Sequence, residues 1–162
     1  VTLLTVTPIG VTVNNVTTVA GMRTAVLAAC ADADALVMAA AVSDYRPTQI
    51  AEQKIKKSGA DEGLTLEMVK NPDFFVEVPK DVLRIGFAAE TENLIDNARA
   101  KINSKSLSLI AANDVTKEGS GFGTETNQVT LIDSAGEAEE LPLLSKYEVG
   151  HRILNRIIEL LK

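Results

Sequence analysis

Short apolar runs alternate with longer amphipathic stretches along this chain, which is the pattern of β-α-β units around a parallel sheet. "VTLLTV" (1–6) predicts a first strand and "NVTTV" (15–19) a short second one. Three continuous apolar runs predict strands covered on both faces: "ALVMAAAV" (35–42), "IGFAAE" (85–90) and "LSLIAAND" (107–114). The pattern therefore predicts the α/β class with a mainly parallel sheet.

Helical spacing accounts for the apolar residues between these runs. One set predicts a helix over roughly the twenties: Met22, Val26, Ala29 and Cys30. A second set predicts one face of a helix between the last two strands: Leu94, Ile95, Ala98 and Ile102. The final helix is predicted from a capping box of Ser145 with Glu148. Its predicted buried stripe comprises Val149, Ile153, Ile157, Leu160 and Leu161.

Two segments depart from this alternation of short apolar runs and amphipathic helices. "TNQVTLID" followed by "SAGEAEELP" predicts a hairpin at one edge of the sheet. Residues 48–70 hold "LTLEMVK", whose alternation predicts a strand with one polar face. They also hold a basic cluster: Lys54, Lys56, Lys57 and Lys70. A solvated hairpin explains that cluster as well as a functional surface does.

Composition narrows the class of protein. The 162 residues predict one domain, residues 1–162, and the 46% hydrophobic content gives it a sizeable core. A formal net charge of −6 argues against nucleic acid or an anionic membrane as the main partner. The single cysteine excludes an internal disulfide framework and fits a reducing cytoplasm, and residues 1–6 carry no signal-peptide pattern.

Candidate chemistry collects where the apolar runs end. Ligands of open α/β sheets bind beyond the carboxyl ends of the strands. Here "AAAV" is followed by "SDYRP", "GFAA" by "ET" and "LIAA" by "ND", so small residues keep the backbone accessible to a planar ligand. Lys101 and Lys105 share a helix face and, with Lys54, suggest a clamp for a polyphosphate. An ordinary solvent-facing stripe is the competing interpretation of the two helical lysines.

Other familiar sites are poorly supported. The sequence has neither a GxxxxGK[ST] loop nor a GxGxxG turn. Ser120 lies in "GSGFG", but Glu118 stands where a nucleophile elbow needs glycine. His151 has no Cys or Asp partner at ligand spacing and is expected on the surface, whereas Cys30 is expected to pack in an apolar helix.

Six motifs in this order and spacing closely resemble bacterial phosphopantothenate–cysteine ligase: "AAAVSDYRP", "KIKK", "EMVKNPDFF", "GFAAET", "ARAKINSKSLSLIAANDV" and "GFGTETNQVTLI". The resemblance implies a Rossmann-like three-layer α/β/α fold, and a homodimer formed through a β insertion, here residues 48–70. It also implies CTP and Mg²⁺. The carboxylate of 4′-phosphopantothenate would attack the α-phosphate of CTP, and the amine of cysteine would then attack the acyl-cytidylate.

The resemblance also implies the site residues. Lys54 would support acyl-cytidylate formation. The nucleotide contacts would be Met38, Ala39, Ala40, Asp44, Lys54, Pro72, Asp73, Phe74, Phe75, Phe87, Lys101 and Lys105. Asn113 belongs to the family's "AND" motif without an assigned role, and no metal ligand or base for the cysteine step is assigned.

Family members begin with a strand, a Gly-rich turn and a first helix ahead of the counterpart of residues 1–6. The resemblance therefore implies that the sequence as given lacks these elements, which contribute to the phosphopantothenate site. It further implies FMN only where the domain is fused to a flavin-dependent decarboxylase.

Two alternatives remain at this stage. A dinucleotide-dependent oxidoreductase of similar fold would need a lysine four residues after Tyr45, where Gln49 stands. A non-catalytic CTP-binding or dimerisation module would keep the nucleotide contacts without turnover. Lys56 and Lys57 serve as internal controls for Lys54, since strand alternation in the "KIKK" run would place Lys57 on the opposite face from Lys54 and Lys56.

Overall fold

A five-stranded mixed sheet forms the centre of the fold. The structure is a computed structural model and describes residues 9–56, 63–117, 119–120 and 123–162. The strands are β1 (Ala35–Met38), β2 (Tyr45–Pro47), β3 (Met68–Lys70), β4 (Leu83–Glu90), β5 (Leu109–Asp114), β6 (Thr126–Asn127), β7 (Val129–Asp133), β8 (Ala138–Glu140) and β9 (Leu144–Ser145). The helices are α1 (Val19–Ala29), α2 (Leu94–Lys105) and α3 (Lys146–Leu160), with short 3₁₀ turns at Cys30–Asp32 and Phe74–Glu77.

The central sheet has the spatial order β1-β4-β5-β7-β8 and confirms the predicted α/β class. β1, β4 and β5 are parallel neighbours, and β7 and β8 add an antiparallel hairpin at the edge. The predicted hairpin is thus confirmed, with Gly136 (φ 88°) taking the left-handed conformation in its turn. Two further pairs, β2 with β3 and β6 with β9, are antiparallel ribbons outside the central sheet.

Each face of the sheet carries its own core. The predicted stripe residues Val149, Ile153 and Ile157 of α3 pack on one face, against Ile85, Leu109, Ala111, Val129 and Leu131. Ala98 and Ile102 of α2 cover the other face, where Ile110, Ala112 and Ile132 lie. Leu160 packs at the margin of the α3 core, but Leu161 does not belong to the stripe as predicted. It lies just beyond the last turn and is 50% exposed.

Two strand predictions are wrong in the N-terminal part. Residues 15–19 form no strand, because Thr18 is the N-cap of α1 and its Oγ1 accepts a hydrogen bond from the Gly21 N–H at 3.0 Å. The strand predicted over 35–42 ends at Met38, the last β1 residue that pairs with β4. It is also not covered on both faces, since Val37 is 42% exposed. The strand predicted over 1–6 lies outside the described residues.

The ribbon of β2 and β3 replaces the half-buried strand predicted over 64–70. Only Met68–Lys70 are in a strand, and both strands of the ribbon are exposed along their length. Lys54 and Lys56 lie in an exposed segment without regular structure, so strand alternation does not relate them as predicted; Lys57 lies outside the described residues. In the part of the chain that is described, no helix has the length and apolar character needed to cross a membrane.

Candidate nucleotide-binding cavity

A cavity of about 360 Å³ lies beyond the end of β1, over the adjoining part of β4. One wall is the segment that leaves β1, residues 40–44. The opposite wall is residues 70–75, which run from the end of β3 into a 3₁₀ turn. Gly86 and Phe87 of β4, Leu107 and Ile110 line the inner part, and Lys101 and Lys105 enter from α2.

This position differs from the sequence-based expectation in one respect. Three strand ends were expected to meet at one crevice, but only the first, "SDYRP", contributes lining residues. Asp114, at the end of β5, borders a separate hollow of about 210 Å³. The reason is that β1 stops one residue pair after Val37 and Ile85, whereas β4 and β5 remain paired as far as Glu90 and Asp114.

Asn71 joins the two walls. Its Nδ2 donates to the Ser43 carbonyl at 2.7 Å, and its Oδ1 accepts from Arg46 Nη1 at 2.8 Å. Its backbone N–H donates to the Asp44 carbonyl at 2.7 Å. Asn71 is 7% exposed, so these bonds satisfy a polar side chain that is removed from water. The sequence signal for this residue was its place in "KNPD", between Lys70 and Pro72.

The second wall turns at Asp73, whose Oδ1 accepts the Phe75 N–H at 3.2 Å as the N-cap of the 3₁₀ turn. Phe74 and Phe75 are 4% and 6% exposed, and Phe75 packs in the α2 core. The two rings therefore contribute a fixed apolar floor more than an exposed stacking surface.

Two arginines brace this turn from outside the cavity. Buried Arg84 donates from Nη2 to the Val78 carbonyl at 2.6 Å. Arg23 of α1 forms a bidentate ion pair with Glu77, with Nε 2.8 Å from Oε1. The hydrogen bond from Arg23 holds the pKa of Glu77 below its ordinary value. The turn is thus tied to both α1 and β4.

The two lysines of α2 are both ion-paired. Lys101 Nζ lies 2.6 Å from Glu90 Oε1, and Lys105 Nζ lies 3.0 Å from Asp73 Oδ2. The hydrogen bond from Lys101 lowers the pKa of Glu90, with a smaller contribution from Asn97. The predicted shared face of Lys101 and Lys105 is present, and it faces the cavity instead of being a plain solvent stripe.

Lysines are concentrated at the cavity in a chain of net charge −6, and Glu90 beside Lys101 adds a carboxylate to those of the lining. Its lining includes three lysines, Lys70, Lys101 and Lys105, and two aspartates, Asp44 and Asp73. Because water is partly excluded from such a concave site, these charges act more strongly on a bound anion than surface charges would. The arrangement suits a small polyanion.

Most residues expected to contact the nucleotide line this cavity. They are Met38, Ala40, Asp44, Pro72, Asp73, Phe74, Phe75, Phe87, Lys101 and Lys105. Ala39 and Lys54 were expected there too, but neither lines it. Lining residues that the sequence analysis did not assign to the nucleotide are Ala41, Val42, Ser43, Lys70, Asn71, Gly86, Leu107 and Ile110; of these, Lys70 belongs to the basic cluster noted there.

The remaining polar candidates have structural partners. The Ser120 hydroxyl lies 2.6 Å from Asn113 Oδ1 and 2.7 Å from Asn127 Oδ1, and Ser120 is 8% exposed. His151 is exposed beside the ring of Tyr147. Cys30 is buried, as expected, and burial raises the pKa of its thiol. Among the described residues, no group of three or more His, Cys, Asp or Glu side chains is placed to hold a metal ion.

Comparison with known proteins places this architecture in a family. The profile described as "DNA/pantothenate metabolism flavoprotein C-terminal domain" matches residues 2–161. The chain belongs to this family. Among curated proteins, it is 42% identical over 159 residues to "Coenzyme A biosynthesis bifunctional protein CoaBC" of Vibrio parahaemolyticus. It is 41% identical over 146 residues to the protein of the same name from Bacillus subtilis.

These matches cover 96% and 88% of this chain but 40% and 36% of the relatives, so the chain spans less than half of their length. Among solved structures, the C-terminal domain of CoaBC matches with a TM-score of 0.71 and 32% identity, over 90% of this chain and 64% of that one. The DNA/pantothenate metabolism flavoprotein from Streptococcus pneumoniae, at 21% identity and a TM-score of 0.70, supports the fold alone; that match covers 89% of this chain and 71% of that one.

Within this member of the DNA/pantothenate metabolism flavoprotein C-terminal domain family, four separated stretches of sequence converge. Segments 40–44, 70–75, 86–87 and 101–105 are far apart in the chain but border one cavity. They coincide with four of the motifs that carried the resemblance: "AAAVSDYRP", "EMVKNPDFF", "GFAAET" and "ARAKINSKSLSLIAANDV".

Proposed function

We propose that this chain provides the nucleotide-binding part of a phosphopantothenate–cysteine ligase, which joins 4′-phosphopantothenate to cysteine at the expense of CTP. The observation that carries the proposal is the convergence of four family motifs on one lysine-bearing cavity. The relatives' name, a coenzyme A biosynthesis bifunctional protein, agrees with it. The choice of CTP rests on the resemblance in sequence.

In the first step, a carboxylate oxygen of 4′-phosphopantothenate attacks the α-phosphorus of CTP. The new O–P bond replaces the bond to pyrophosphate, which leaves with the bonding electron pair. Both reactants are anions, so the barrier includes their repulsion. Lys101 and Lys105 supply positive charge where the phosphates would lie, and Lys54 is proposed to add charge as the attack proceeds.

In the second step, the amine of cysteine attacks the acyl carbon of the acyl-cytidylate. A C–N bond forms, the C–O bond to CMP breaks, and the amine nitrogen loses a proton. The hydrogen bond from Asn71 to the Ser43 carbonyl keeps the two walls together, so that the cavity they border would hold the mixed anhydride aligned for this attack.

Mg²⁺ in nucleotide sites is held by one or two carboxylates together with the substrate's phosphates, and it neutralises their charge. The cavity offers Asp44 and Asp73. Asp73 is engaged by Lys105, whereas the Asp44 carboxylate has no partner among the described residues. Asp44 is therefore the residue that would hold a magnesium ion arriving with the nucleotide.

The proposal includes the wider setting implied by the resemblance. The working protein would be a cytoplasmic homodimer that pairs through residues 48–70. It would be fused, in proteins of the bifunctional type, to a decarboxylase half that carries FMN. The name of the relatives supports such a fusion.

A non-catalytic CTP-binding module is the second candidate, and one observation favours it: Lys54 does not line the cavity. An oxidoreductase is less well supported, since Tyr45 lies in the exposed β2 strand and Gln49 stands where a lysine is needed.

Product release from the whole protein that carries this chain tests the proposal. With CTP and 4′-phosphopantothenate, we expect pyrophosphate release in a single turnover that does not require cysteine. CMP release is expected only when cysteine is added. CTP binding without pyrophosphate release would favour the binding module, and protection from heat by NADP but not by CTP would favour the oxidoreductase.

A further inference from the structure

Glu90 does not line the cavity, yet its carboxylate contacts a lysine that does. Its Oε1 accepts from Lys101 Nζ at 2.6 Å, and its Oε2 accepts from Asn97 Nδ2 at 3.0 Å. The Glu90 side chain is 15% exposed, against 41% for Lys101. Lys101 and Asn97 are one helical turn apart on α2, so both reach the same carboxylate at the end of β4.

We propose that Glu90 is a positioning residue for nucleotide binding: it holds the Lys101 ammonium at the cavity so that its remaining N–H groups face the ligand. This inference rests on the proposed function and adds a residue outside the contacts that the resemblance implies.

The physical reason is the flexibility of lysine. A free lysine side chain samples many rotamers and loses that freedom when it binds a phosphate. A carboxylate that already fixes the ammonium removes part of this cost before the ligand arrives. Glu90 is suited to this task because Asn97 Nδ2 donates to its second carboxylate oxygen. The same Nδ2 group also donates to the Glu92 carbonyl at 3.1 Å, which holds the Asn97 side chain in place. The lowered pKa of Glu90 keeps the carboxylate charged.

The second ion pair of the cavity differs. Lys105 and Asp73 are both nearly half exposed, at 44% and 48%, and 3.0 Å apart. A phosphate can replace Asp73 beside Lys105 from the solvent side. Glu90 is too buried to be displaced in that way and stays behind Lys101 while the ligand binds.

Glu90 also has an opposing effect, because its negative charge weakens the attraction of the cavity for anions. Two substitutions separate the effects. Glu90→Ala removes both the charge and the acceptor, whereas Glu90→Gln removes the charge and keeps an acceptor oxygen for Lys101. If positioning dominates, the alanine variant binds CTP more weakly and the glutamine variant recovers most of the affinity. If the weakening of anion binding by the negative charge of Glu90 dominates, both variants bind CTP more tightly.

Calorimetric titration with CTP measures this directly. We expect Glu90→Ala to weaken CTP binding about tenfold, and Glu90→Gln to stay within about threefold of the unmodified protein. In a Lys101→Ala background, Glu90→Ala should have no further effect, because Glu90 acts through Lys101. Glu140→Ala is the matched control: Glu140 pairs with Lys117 at 3.1 Å away from this cavity, and its loss should leave CTP affinity unchanged.

The inference would be overturned if Glu90→Ala bound CTP as tightly as the unmodified protein or more tightly. It would also be overturned if Glu90→Ala weakened CTP binding by the same factor in the Lys101→Ala background as in the unmodified protein. If Glu90→Ala does not fold, Asn97→Ala tests the same point, since it frees the second oxygen of Glu90; an unchanged affinity for CTP there also counts against it.

A second measurement needs no nucleotide. Acetylation of Lys101 by acetic anhydride, followed by mass spectrometry, should be several-fold faster in Glu90→Ala than in the unmodified protein, because the ion pair shields the amine. Equal rates contradict the positioning role.

Failure of the unmodified protein to bind CTP refutes the proposed function and the inference built on it. Normal CTP binding that is insensitive to Glu90 refutes the inference alone.

Discussion

The ammonium groups of Lys101 and Lys105 each lie against a carboxylate, so the cavity is charge-paired before any nucleotide enters it. Under the proposed function, a triphosphate would replace Asp73 beside Lys105 and would bind Lys101 in addition to Glu90. Gly86 lines the cavity, and a Cβ there would meet Leu107 Cδ1 at 2.9 Å. An alanine at position 86 would therefore require the end of the Leu107 side chain, which also lines the cavity, to shift.

The most specific prediction for a single residue concerns Lys54. Lys54→Gln should reduce the rate of single-turnover pyrophosphate release by about a hundredfold, while the affinity for CTP falls only modestly. The reason is that a charge acting mainly in the transition state affects the rate more than ground-state binding.

The control for Lys54 is Lys56→Gln, since Lys56 lies two residues away in the same exposed segment. Its effect on the rate should stay within about threefold, as for an ordinary surface charge. If both substitutions prove equally mild, the "KIKK" run is a solvated edge and Lys54 has no catalytic role.

Among the elements, α3 has the best-defined beginning. The Glu148 N–H donates to Ser145 Oγ at 3.2 Å, and the Ser145 N–H donates to Glu148 Oε2 at 3.0 Å. Ser145→Ala should lower the free energy of unfolding by about 1 kcal/mol, measured by urea denaturation near pH 7. Ser134→Ala, at an exposed position outside any helix cap, is the control and should change it by less than about 0.5 kcal/mol.

The same cap predicts a dependence on pH. The hydrogen bond from the Ser145 hydroxyl lowers the pKa of Glu148 from its ordinary value of 4.5. A lowered folded-state pKa adds stability above that ordinary value and loses it as the pH falls through the folded-state pKa. The stability difference between the unmodified protein and Ser145→Ala should therefore shrink below pH 4.5. A difference that stays constant down to pH 3 would contradict a role for the ionised Glu148.

The sequence predicted well those elements in which one hydrophobic pattern extends over the whole element. The stripe of Val149, Ile153 and Ile157 repeats over the whole of α3, and the run at β5 is buried as expected. Strand ends were predicted less well, because pairing decides them. Nothing in "ALVMAAAV" shows where β1 stops, since Ala39 and Ala40 continue the apolar run without a polar or turn-forming residue. Likewise, the β-branched residues at 15–19 predicted a strand, whereas in the structure the Thr18 hydroxyl caps the beginning of α1.

The candidate site was predictable in composition but not in shape. The resemblance named most of the cavity's residues, yet the sequence had no means of showing that Glu90 lies behind Lys101 or that Asn71 links the two walls. Such contacts depend on long-range packing between β4 and α2, and between the segments around Ser43 and Asn71. Residue types alone do not determine these distances.

At the scale of the whole molecule, the ribbon of β2 and β3 and the described residues between its strands expose a group of large apolar side chains: Tyr45, Ile50, Ile55, Leu64, Leu66, Met68 and Val69. A two-stranded ribbon is marginal on its own, and an exposed edge invites pairing. We expect a homodimer that buries this surface, seen as twice the chain mass of 17.3 kDa by light scattering at micromolar concentration.

Leu66→Asp should convert the dimer to a monomer, because a carboxylate there would be buried in the contact. Leu154→Asp on α3 is the matched control, since Leu154 is 51% exposed and Leu66 55%. A monomeric mass for the unmodified protein, or dissociation by the control substitution alone, would contradict pairing through residues 48–70.

Calorimetric titration of the protein with CTP and ATP tests the central claim most directly. Met38 and Ala40 line the cavity at the end of β1, and we expect their backbone groups to bind the edge of a cytosine, whereas a purine needs more room. We predict that CTP binds more tightly than ATP by about tenfold or more, and that Lys101→Ala weakens CTP binding. Equal or tighter binding of ATP, or no binding of either nucleotide, would contradict the assignment of this cavity.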